Sequence, residues 1–199
     1  MQLIVISGFL GSGKTTTMLC FARELAAEGR KVAIIVNEIG AIGIDNVLLK
    51  QIGANVWEIL GGCICCTLAG ELGSTLTRLA ADFAPEIVLL EPSGASHPDT
   101  IKSVLSYAQG ASVSATRWLA VIDPLRLEEL VYVLQPLMES QVQAADAVII
   151  TKCDVATMQQ LDAAKNWALG LRPGLACFAA DMKNADKALS LKEALPCLN

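Results

Sequence analysis

Residues 8–15, G-F-L-G-S-G-K-T, have the types and the spacing that bind a phosphate group. They fit the pattern G-x-x-x-x-G-K-[ST], whose glycines let the chain turn tightly so that successive backbone N–H groups point at phosphate oxygens. An apolar run precedes the pattern, and a helix-forming run from Thr16 to Glu28 follows it with its positive end toward the same charge. The alternative, a glycine-rich turn with an incidental lysine, does not account for this context. The sequence therefore predicts a loop that binds nucleotide phosphates.

Two side chains of this phosphate loop have roles of their own. Lys14 is predicted to reach the β and γ phosphates, and Thr15 is predicted to place its hydroxyl on a Mg²⁺ ion that bridges them. The candidate nucleotide-binding residues of the loop are Gly8, Gly11, Ser12, Gly13, Lys14, Thr15 and Thr16.

Two carboxylates are predicted to act near the γ-phosphate. Glu91 ends an apolar run and is followed by P-S-G, which is typical of a residue that senses Mg²⁺ or the attacking water. Glu38 is the second residue of a glycine-rich segment, residues 37–45, that is interpreted as a switch loop, with a plain surface connection as the alternative. The catalytic candidates are therefore Lys14, Glu38 and Glu91, and the Mg²⁺ ligands are Thr15 and Glu91.

Three cysteines, Cys63, Cys65 and Cys66, fall within four residues after a double glycine. They precede a predicted helix whose N-terminus favours anions, so their thiols can ionise and bind a borderline cation such as Zn²⁺. Three thiolates are one ligand short of a closed structural site, and an open position suits transfer of the metal. The alternative is a packed turn with three small buried hydrophobic side chains. His97, the only histidine, is expected to be solvated or hydrogen-bonded locally, with a role at the site as the alternative.

The segment T-K-C-D at residues 151–154 follows an apolar run and is interpreted as a base-recognition element. A single carboxylate can accept the two N–H groups that guanine presents and adenine does not. Asp154 is the predicted acceptor, and the stem of Lys152 is predicted to cover the base. Thr151 stands where the usual N-K-x-D pattern has asparagine, so it is expected to lose a loop-bracing or base-edge hydrogen bond and to soften the preference for guanine. An incidental K-x-D tripeptide is the alternative.

The composition favours a helix-covered parallel sheet, whose strands read as continuous apolar runs, because 53% of the 199 residues are hydrophobic and 18% are charged. The net charge of −5 and the scattered basic residues argue against a nucleic-acid surface. The sequence lacks a long apolar run and a basic start, so we expect no membrane span and a cytoplasmic protein. Seven cysteines, an odd number, favour free thiols or metal ligands over disulfides.

Apolar runs and helix-forming runs alternate along the whole chain. Strands are predicted before the phosphate loop and at residues 31–36, 56–60, 87–90, 118–122, 147–150 and 175–178. Helices are predicted at residues 14–28, 68–82, 98–107, 125–143, 157–169 and 185–195, with an interruption at Pro136. This alternation predicts a single doubly wound α/β domain, residues 1–199, with a mainly parallel sheet and helices on both faces.

Together these segments resemble the CobW-type GTPases, which are cobalamin-synthesis-protein-like metallochaperones with the P-loop NTPase fold. The nickel-inserting GTPases of hydrogenase and urease maturation belong to the same larger group. The resemblance rests on G-F-L-G-S-G-K-T-T at 8–16, N-E-x-G-x-x-G-I-D at 37–45, G-G-C-I-C-C at 61–66, E-P-S-G at 91–94, V-I-D at 121–123 and A-D-x-x-I-x-x-K-x-D at 145–154. It implies that GTP hydrolysis is coupled to the handling of zinc, cobalt or a similar metal at the C-x-C-C motif.

Three departures from the family pattern limit what the resemblance implies. The acidic residue usual at the position of Ala41 is missing, Thr151 alters the guanine motif, and we expect residues 1–199 to lack the usual C-terminal domain. We expect a GTP-hydrolysing metallochaperone, with a client metalloprotein or cofactor-assembly enzyme as partner and a nucleotide-dependent homodimer as a further association. The alternatives are a metal-binding, nucleotide-sensing module with little turnover that docks to a partner, and a small-molecule P-loop kinase, whose lid arginines are missing here.

Overall fold

A computed structural model describes residues 1–36, 55–58, 68–107, 113–184 and 187–196. The strands are β1 (Gln2–Ser7), β2 (Val32–Val36), β3 (Asn55–Glu58), β4 (Ile87–Glu91), β5 (Ala115–Ile122), β6 (Ala147–Ile150) and β7 (Ala176–Ala179). The helices are α1 (Lys14–Ala27), α2 (Leu68–Asp82), α3 (Pro98–Tyr107), α4 (Leu127–Ala144), α5 (Met158–Leu171) and α6 (Leu191–Ala194). Among these described helices, none combines the length and the hydrophobicity needed to cross a membrane.

The strands form one sheet in the order β3-β2-β4-β1-β5-β6-β7. The strand pairs whose register is described, β1 with β4, β2 with β3, β2 with β4, β5 with β6 and β6 with β7, all run parallel. Parallel neighbours need a crossover between them, and helices lie between most of the consecutive strands described. The predicted doubly wound α/β fold with a parallel sheet is therefore confirmed.

The chain divides into two compact units, and β1 contributes to both. The first unit contains residues 1–5 and 22–117. In it, β2 pairs with β3 and with β4, and β4 pairs with the start of β1 from Gln2 opposite Ile87 to Val5 opposite Leu90. Every residue of β2 and β4 is buried, which is why both strands read as apolar runs in the sequence, that of β4 ending at Glu91.

The second unit contains residues 6–21 and 118–199, and therefore the phosphate loop and the T-K-C-D segment. In it, β6 pairs with β5 and with β7. Alternate residues of β5 and β6 pack against α4 and α5 in one buried cluster, which includes Ile122, Leu130, Val148 and Ala164. This core fixes the carboxyl ends of β5 and β6, from which the site residues of this unit emerge.

Helix α4 is interrupted close to the predicted position. Leu134 has a non-helical backbone conformation, with φ of −130° and ψ of 29°, two residues before Pro136. Proline has no N–H to donate to the carbonyl four residues earlier, that of Tyr132, and its ring crowds that carbonyl. The interruption predicted from Pro136 is confirmed.

Two predicted boundaries at other elements are wrong. The last helix was expected over residues 185–195, but α6 is a single turn, Leu191–Ala194, and the described residues 187–190 are not helical. Ser190 begins this turn, because its side chain accepts from the Glu193 N–H while the Glu193 side chain accepts from the Ser190 N–H. Strand β5 begins at Ala115 rather than at residue 118, ahead of the apolar run that predicted it.

Candidate functional site

The loop between β1 and α1 has a backbone conformation that only glycine adopts readily. Gly8 has a φ of +145° and Gly13 a φ of +97°. A Cβ atom on Gly8 would lie 2.4 Å from the carbonyl oxygen of Val121 and 2.8 Å from the Ser12 hydroxyl oxygen. The Val121 oxygen belongs to the backbone and cannot move aside for a carbon atom at such a distance, so the loop requires glycine at this position.

Polar groups are buried inside this loop. Lys14, the first residue of α1, is 3% exposed, and its amine donates to the carbonyl oxygen of Phe9 over 3.3 Å. The hydroxyl oxygen of Ser12 is also buried, and it has no hydrogen-bond partner among the described residues. Buried polar atoms normally have partners, and an anion at the N-terminus of a helix would supply one. The buried ammonium and hydroxyl of this loop therefore fit a phosphate group.

Thr151 supports the phosphate loop directly. It is 3% exposed, and its hydroxyl donates to the carbonyl oxygen of Ser12 over 2.6 Å. A Cβ on Gly13 would lie 3.4 Å from both the methyl carbon and the hydroxyl oxygen of Thr151, so the two residues are in close contact. The expectation that threonine loses a loop-bracing hydrogen bond is therefore wrong. Its effect on the base edge stays a prediction.

Lys152 is held by a carboxylate that the sequence analysis did not include in the site. Its amine lies 2.6 Å from Oδ2 of Asp123, whose side chain is 2% exposed, whereas that of Lys152 is 31% exposed. The other oxygen of Asp123, Oδ1, accepts from the backbone N–H of Leu125 over 3.0 Å. The available signal was the position of Asp123 directly after an apolar strand, the same signal that singled out Glu91.

Asp154 is exposed and lies in the turn that leads to α5. Two backbone N–H groups of this turn, those of Val155 and Ala156, donate to the carbonyl oxygen of Lys152 over 3.1 and 3.0 Å. Burial, reinforced by the carboxylates of Asp181 and Asp154, raises the pKa of the neighbouring Cys153 thiol. The thiol therefore stays neutral at neutral pH, and the exposed Asp154 carboxylate is available to a ligand.

Arg126 is a second residue near the loop that the sequence analysis did not single out. Its guanidinium nitrogen Nη1 lies 3.9 Å from the position that a Cβ on Gly11 would occupy. Its Nε lies 3.3 Å from Oε2 of Glu129, in the first turn of α4. The sequence gives little sign of this arrangement, because a basic residue just before a helix is common on any protein surface.

Glu91 and His97 belong to the first unit. Glu91 is the last residue of β4, is 2% exposed, and lies opposite Val36 in the parallel pair with β2. Its predicted action at Mg²⁺ stays a prediction. The Nδ1 atom of His97 accepts from the backbone N–H of Asp99 over 3.3 Å, and its side chain is 47% exposed. This local hydrogen bond agrees with the expected local role of His97.

Four of the predicted site residues, Glu38, Cys63, Cys65 and Cys66, lie outside the described residues. The predicted switch loop, residues 37–45 with Ala41, lies outside them as well. Within the described part of the chain, no three His, Cys, Asp or Glu side chains are grouped so that they could hold a metal ion. The metal site and the switch loop therefore stay predictions.

The family model described as "CobW/HypB/UreG, nucleotide-binding domain" matches residues 2–179. The chain is 35% identical over 166 residues to the zinc chaperone YeiR of Escherichia coli (strain K12), an alignment that covers 82% of this chain and 50% of that protein. It is 30% identical over 191 residues to the zinc chaperone CobW of Sinorhizobium sp, with 81% of this chain and 53% of that protein covered. The chain thus spans about half the length of these relatives.

The fold of the chain also resembles that of a solved structure. The cell division protein FtsY of Thermotoga maritima superposes with a TM-score of 0.70 at 18% identity, and 97% of this chain and 66% of that chain are covered. At this identity the likeness shows the fold alone.

Proposed function

Because the chain belongs to the CobW/HypB/UreG family of nucleotide-binding domains, as its motifs predicted, we propose that it is a GTP-hydrolysing metallochaperone. It binds GTP, hydrolyses it and couples the nucleotide state to the binding and delivery of Zn²⁺ or Co²⁺. The observation that carries the proposal is the 2.6 Å hydrogen bond from the Thr151 hydroxyl to the carbonyl oxygen of Ser12. It joins the base-recognition segment to the phosphate loop, which is the arrangement that one bound nucleotide requires.

The described residues divide the binding of the nucleotide between its two ends. At the phosphate end, the backbone N–H groups of the loop and the ammonium of Lys14 balance the negative charge of the ligand. At the base end, the exposed carboxylate of Asp154 accepts the two N–H groups of guanine, while Lys152 covers the ring. Thr151 fixes the distance between the two ends, since it contacts the loop and precedes Lys152 in the chain.

Hydrolysis requires further residues around the γ-phosphate. Thr15 and Glu91 would hold Mg²⁺, because hydroxyl and carboxylate oxygens are the hard ligands that this ion prefers. Thr15 is the second residue of α1 and is partly buried, and Glu91 is buried at the end of β4. When bound, Mg²⁺ neutralises negative charge on the transferred phosphate. Glu38 orients the attacking water in this proposal.

The transported metal binds to the three cysteines of the C-x-C-C motif, Cys63, Cys65 and Cys66. Both relatives compared above are named zinc chaperones, which supports a metal of this class as cargo. Thiolate ligands bind Zn²⁺ well, and three of them leave one coordination position for a ligand from the recipient. The recipient is a client metalloprotein or a cofactor-assembly enzyme.

Zinc titrations of the protein loaded with GTP or with GDP test the proposal. We expect one Zn²⁺ per chain, with affinities that differ between the two nucleotide states by about 5-fold to 150-fold, the usual range of coupling between two sites. The variant Cys65→Ala with Cys66→Ala should lose this zinc, whereas Cys177→Ala, a thiol on β7, should keep it. Equal zinc affinity in both nucleotide states would contradict the coupling.

Single-turnover hydrolysis of GTP with and without Zn²⁺ separates the proposal from a docking module that binds nucleotide with little turnover. The chaperone should complete one turnover, at a rate that zinc changes. Retention of intact GTP under both conditions would instead favour the docking module.

A further inference from the structure

Asp123 ends the V-I-D segment at 121–123, to which no role has been assigned, and both oxygens of its buried carboxylate are engaged. Oδ2 lies 2.6 Å from the amine of Lys152, and Oδ1 accepts from the backbone N–H of Leu125. We propose that Asp123 is a positioning residue that holds Lys152 in place for the guanine base. This inference rests on the proposed binding of guanine nucleotides.

The two side chains of this ion pair differ in exposure. The side chain of Asp123 is 2% exposed and that of Lys152 is 31% exposed. A buried carboxylate is unfavourable without a partner, so Asp123 holds the amine of Lys152 strongly, while about a third of the lysine side chain stays exposed. The lysine is thereby anchored at its amine and keeps exposed side-chain surface, which covering a base requires.

Through the backbone of Lys152, the ion pair also affects the turn that carries Asp154. Lys152 has a φ of +55°, in the left-handed region that residues other than glycine adopt rarely. Its carbonyl oxygen accepts from the N–H groups of Val155 and Ala156, so the turn that carries Asp154 is built on this conformation. Asp123 therefore fixes the residue that starts the turn, and through it the position of the base-accepting carboxylate.

A purely structural role for Asp123 is the competing explanation, since its Oδ1 also fixes the start of the chain toward α4. The two explanations differ in how Asp123 and Lys152 depend on each other. A residue that acts through Lys152 loses its effect on nucleotide affinity when Lys152 is removed. A structural residue keeps that effect.

A double-mutant cycle with a fluorescent GDP analogue as the probe tests this dependence. Asp123→Asn keeps the shape and the acceptor for Leu125 but removes the charge, and we expect it to weaken GDP binding about fivefold or more. In the Lys152→Met background, the same substitution should change GDP affinity by less than about twofold. Independent, multiplicative effects of the two substitutions would overturn the inference.

Asp123→Asn alone supplies a second measurement if Lys152→Met does not fold. Because Lys152 faces the base, the loss of affinity should be equal for GDP and for a non-hydrolysable GTP analogue. A loss confined to the triphosphate would place the effect at the phosphate loop and overturn the inference. Asp146→Ala is the matched control, since this carboxylate precedes β6 at the other end of the same strands, and it should leave GDP affinity unchanged.

The affinities of the wild-type protein for GDP and for ADP distinguish a failure of this inference from a failure of the proposed function. If it prefers GDP to ADP and the cycle shows no coupling, only the positioning role of Asp123 fails. If it binds GDP and ADP equally, the proposed guanine specificity fails and the inference fails with it.

Discussion

The two ends of the β5–β6 strand pair use polar side chains in opposite ways. At the amino end, Asp146 accepts from the backbone N–H of Trp118 over 2.8 Å, and Arg172 donates to the backbone carbonyl oxygens of Ala145 and Gln143. At the carboxyl end, Thr151 donates to the phosphate loop and Lys152 pairs with Asp123.

The difference shows which end is built for a ligand. The side chains of the amino end satisfy backbone groups of the strands and of α4, so they complete the fold locally. Those of the carboxyl end hold other segments of the site in position, and the loop that they brace contains a buried hydroxyl, Ser12 Oγ, without a partner among the described residues. Open α/β sheets bind ligands outside the carboxyl ends of their strands, in agreement with this division.

The largest expected effect comes from the loop lysine. Lys14→Ala should reduce GTP affinity by at least about 100-fold. The substitution removes the ammonium group and with it more than one hydrogen bond to phosphate, each of which contributes about 1.5–3 kcal/mol. Isothermal titration would measure this loss. Lys165→Ala, an exposed lysine of α5, is the control and should bind GTP normally. A Lys14→Ala protein with normal GTP affinity would contradict the proposed binding of phosphate by this loop.

Strand β4, in the first unit, allows the same contrast between its two ends. Glu91 is its last residue, and Glu86 directly precedes its first residue. Glu91→Ala should slow GTP turnover more than about tenfold and change nucleotide affinity only a few-fold, the pattern of a contact made mainly in the transition state. Glu86→Ala should leave turnover unchanged, since Glu86 binds Arg30 and the Lys31 N–H instead. Steady-state kinetics would measure the turnover of both variants. Equal turnover of Glu91→Ala and Glu86→Ala would contradict a role of Glu91 in hydrolysis.

The base end should show a specific but smaller effect. Asp154→Asn removes the charge that is proposed to accept guanine, so the ratio of GTP to ATP affinity should fall about 10-fold or more, given about 1.5–3 kcal/mol for each charged hydrogen bond. Competition binding measures the ratio, and Asp162→Asn, exposed on α5, is the control. An unchanged ratio would show that Asp154 does not read the base.

The smallest effect is expected at the amino end, and on stability alone. Asp146→Ala leaves the backbone N–H of Trp118 without its side-chain acceptor, so the free energy of unfolding should fall by about 1–2 kcal/mol. Chemical denaturation would measure the change. A substantial loss of GTP affinity in this variant would contradict the separation of the two ends.

Local patterns predicted the phosphate loop and most elements, because the glycines, the lysine and the apolar runs act on their immediate neighbours. The contacts that brace the site were not predictable in this way. The Thr151–Ser12 bond spans 139 residues and the Lys152–Asp123 pair spans 29, and both arise only when the sheet forms. The last helix was predicted too long because the capping role of Ser190 was not recognised.

Guanine specificity is tested most directly by competition between GTP and ATP for the wild-type protein, measured by displacement of a fluorescent guanine nucleotide. The proposed guanine-specific base site and the phosphate loop lie at the carboxyl ends of the strands in one unit of the chain. We therefore predict that GTP displaces the probe at a concentration at least about tenfold below that of ATP, as expected for one charged contact to guanine. Displacement by ATP at the same concentration as GTP would contradict it.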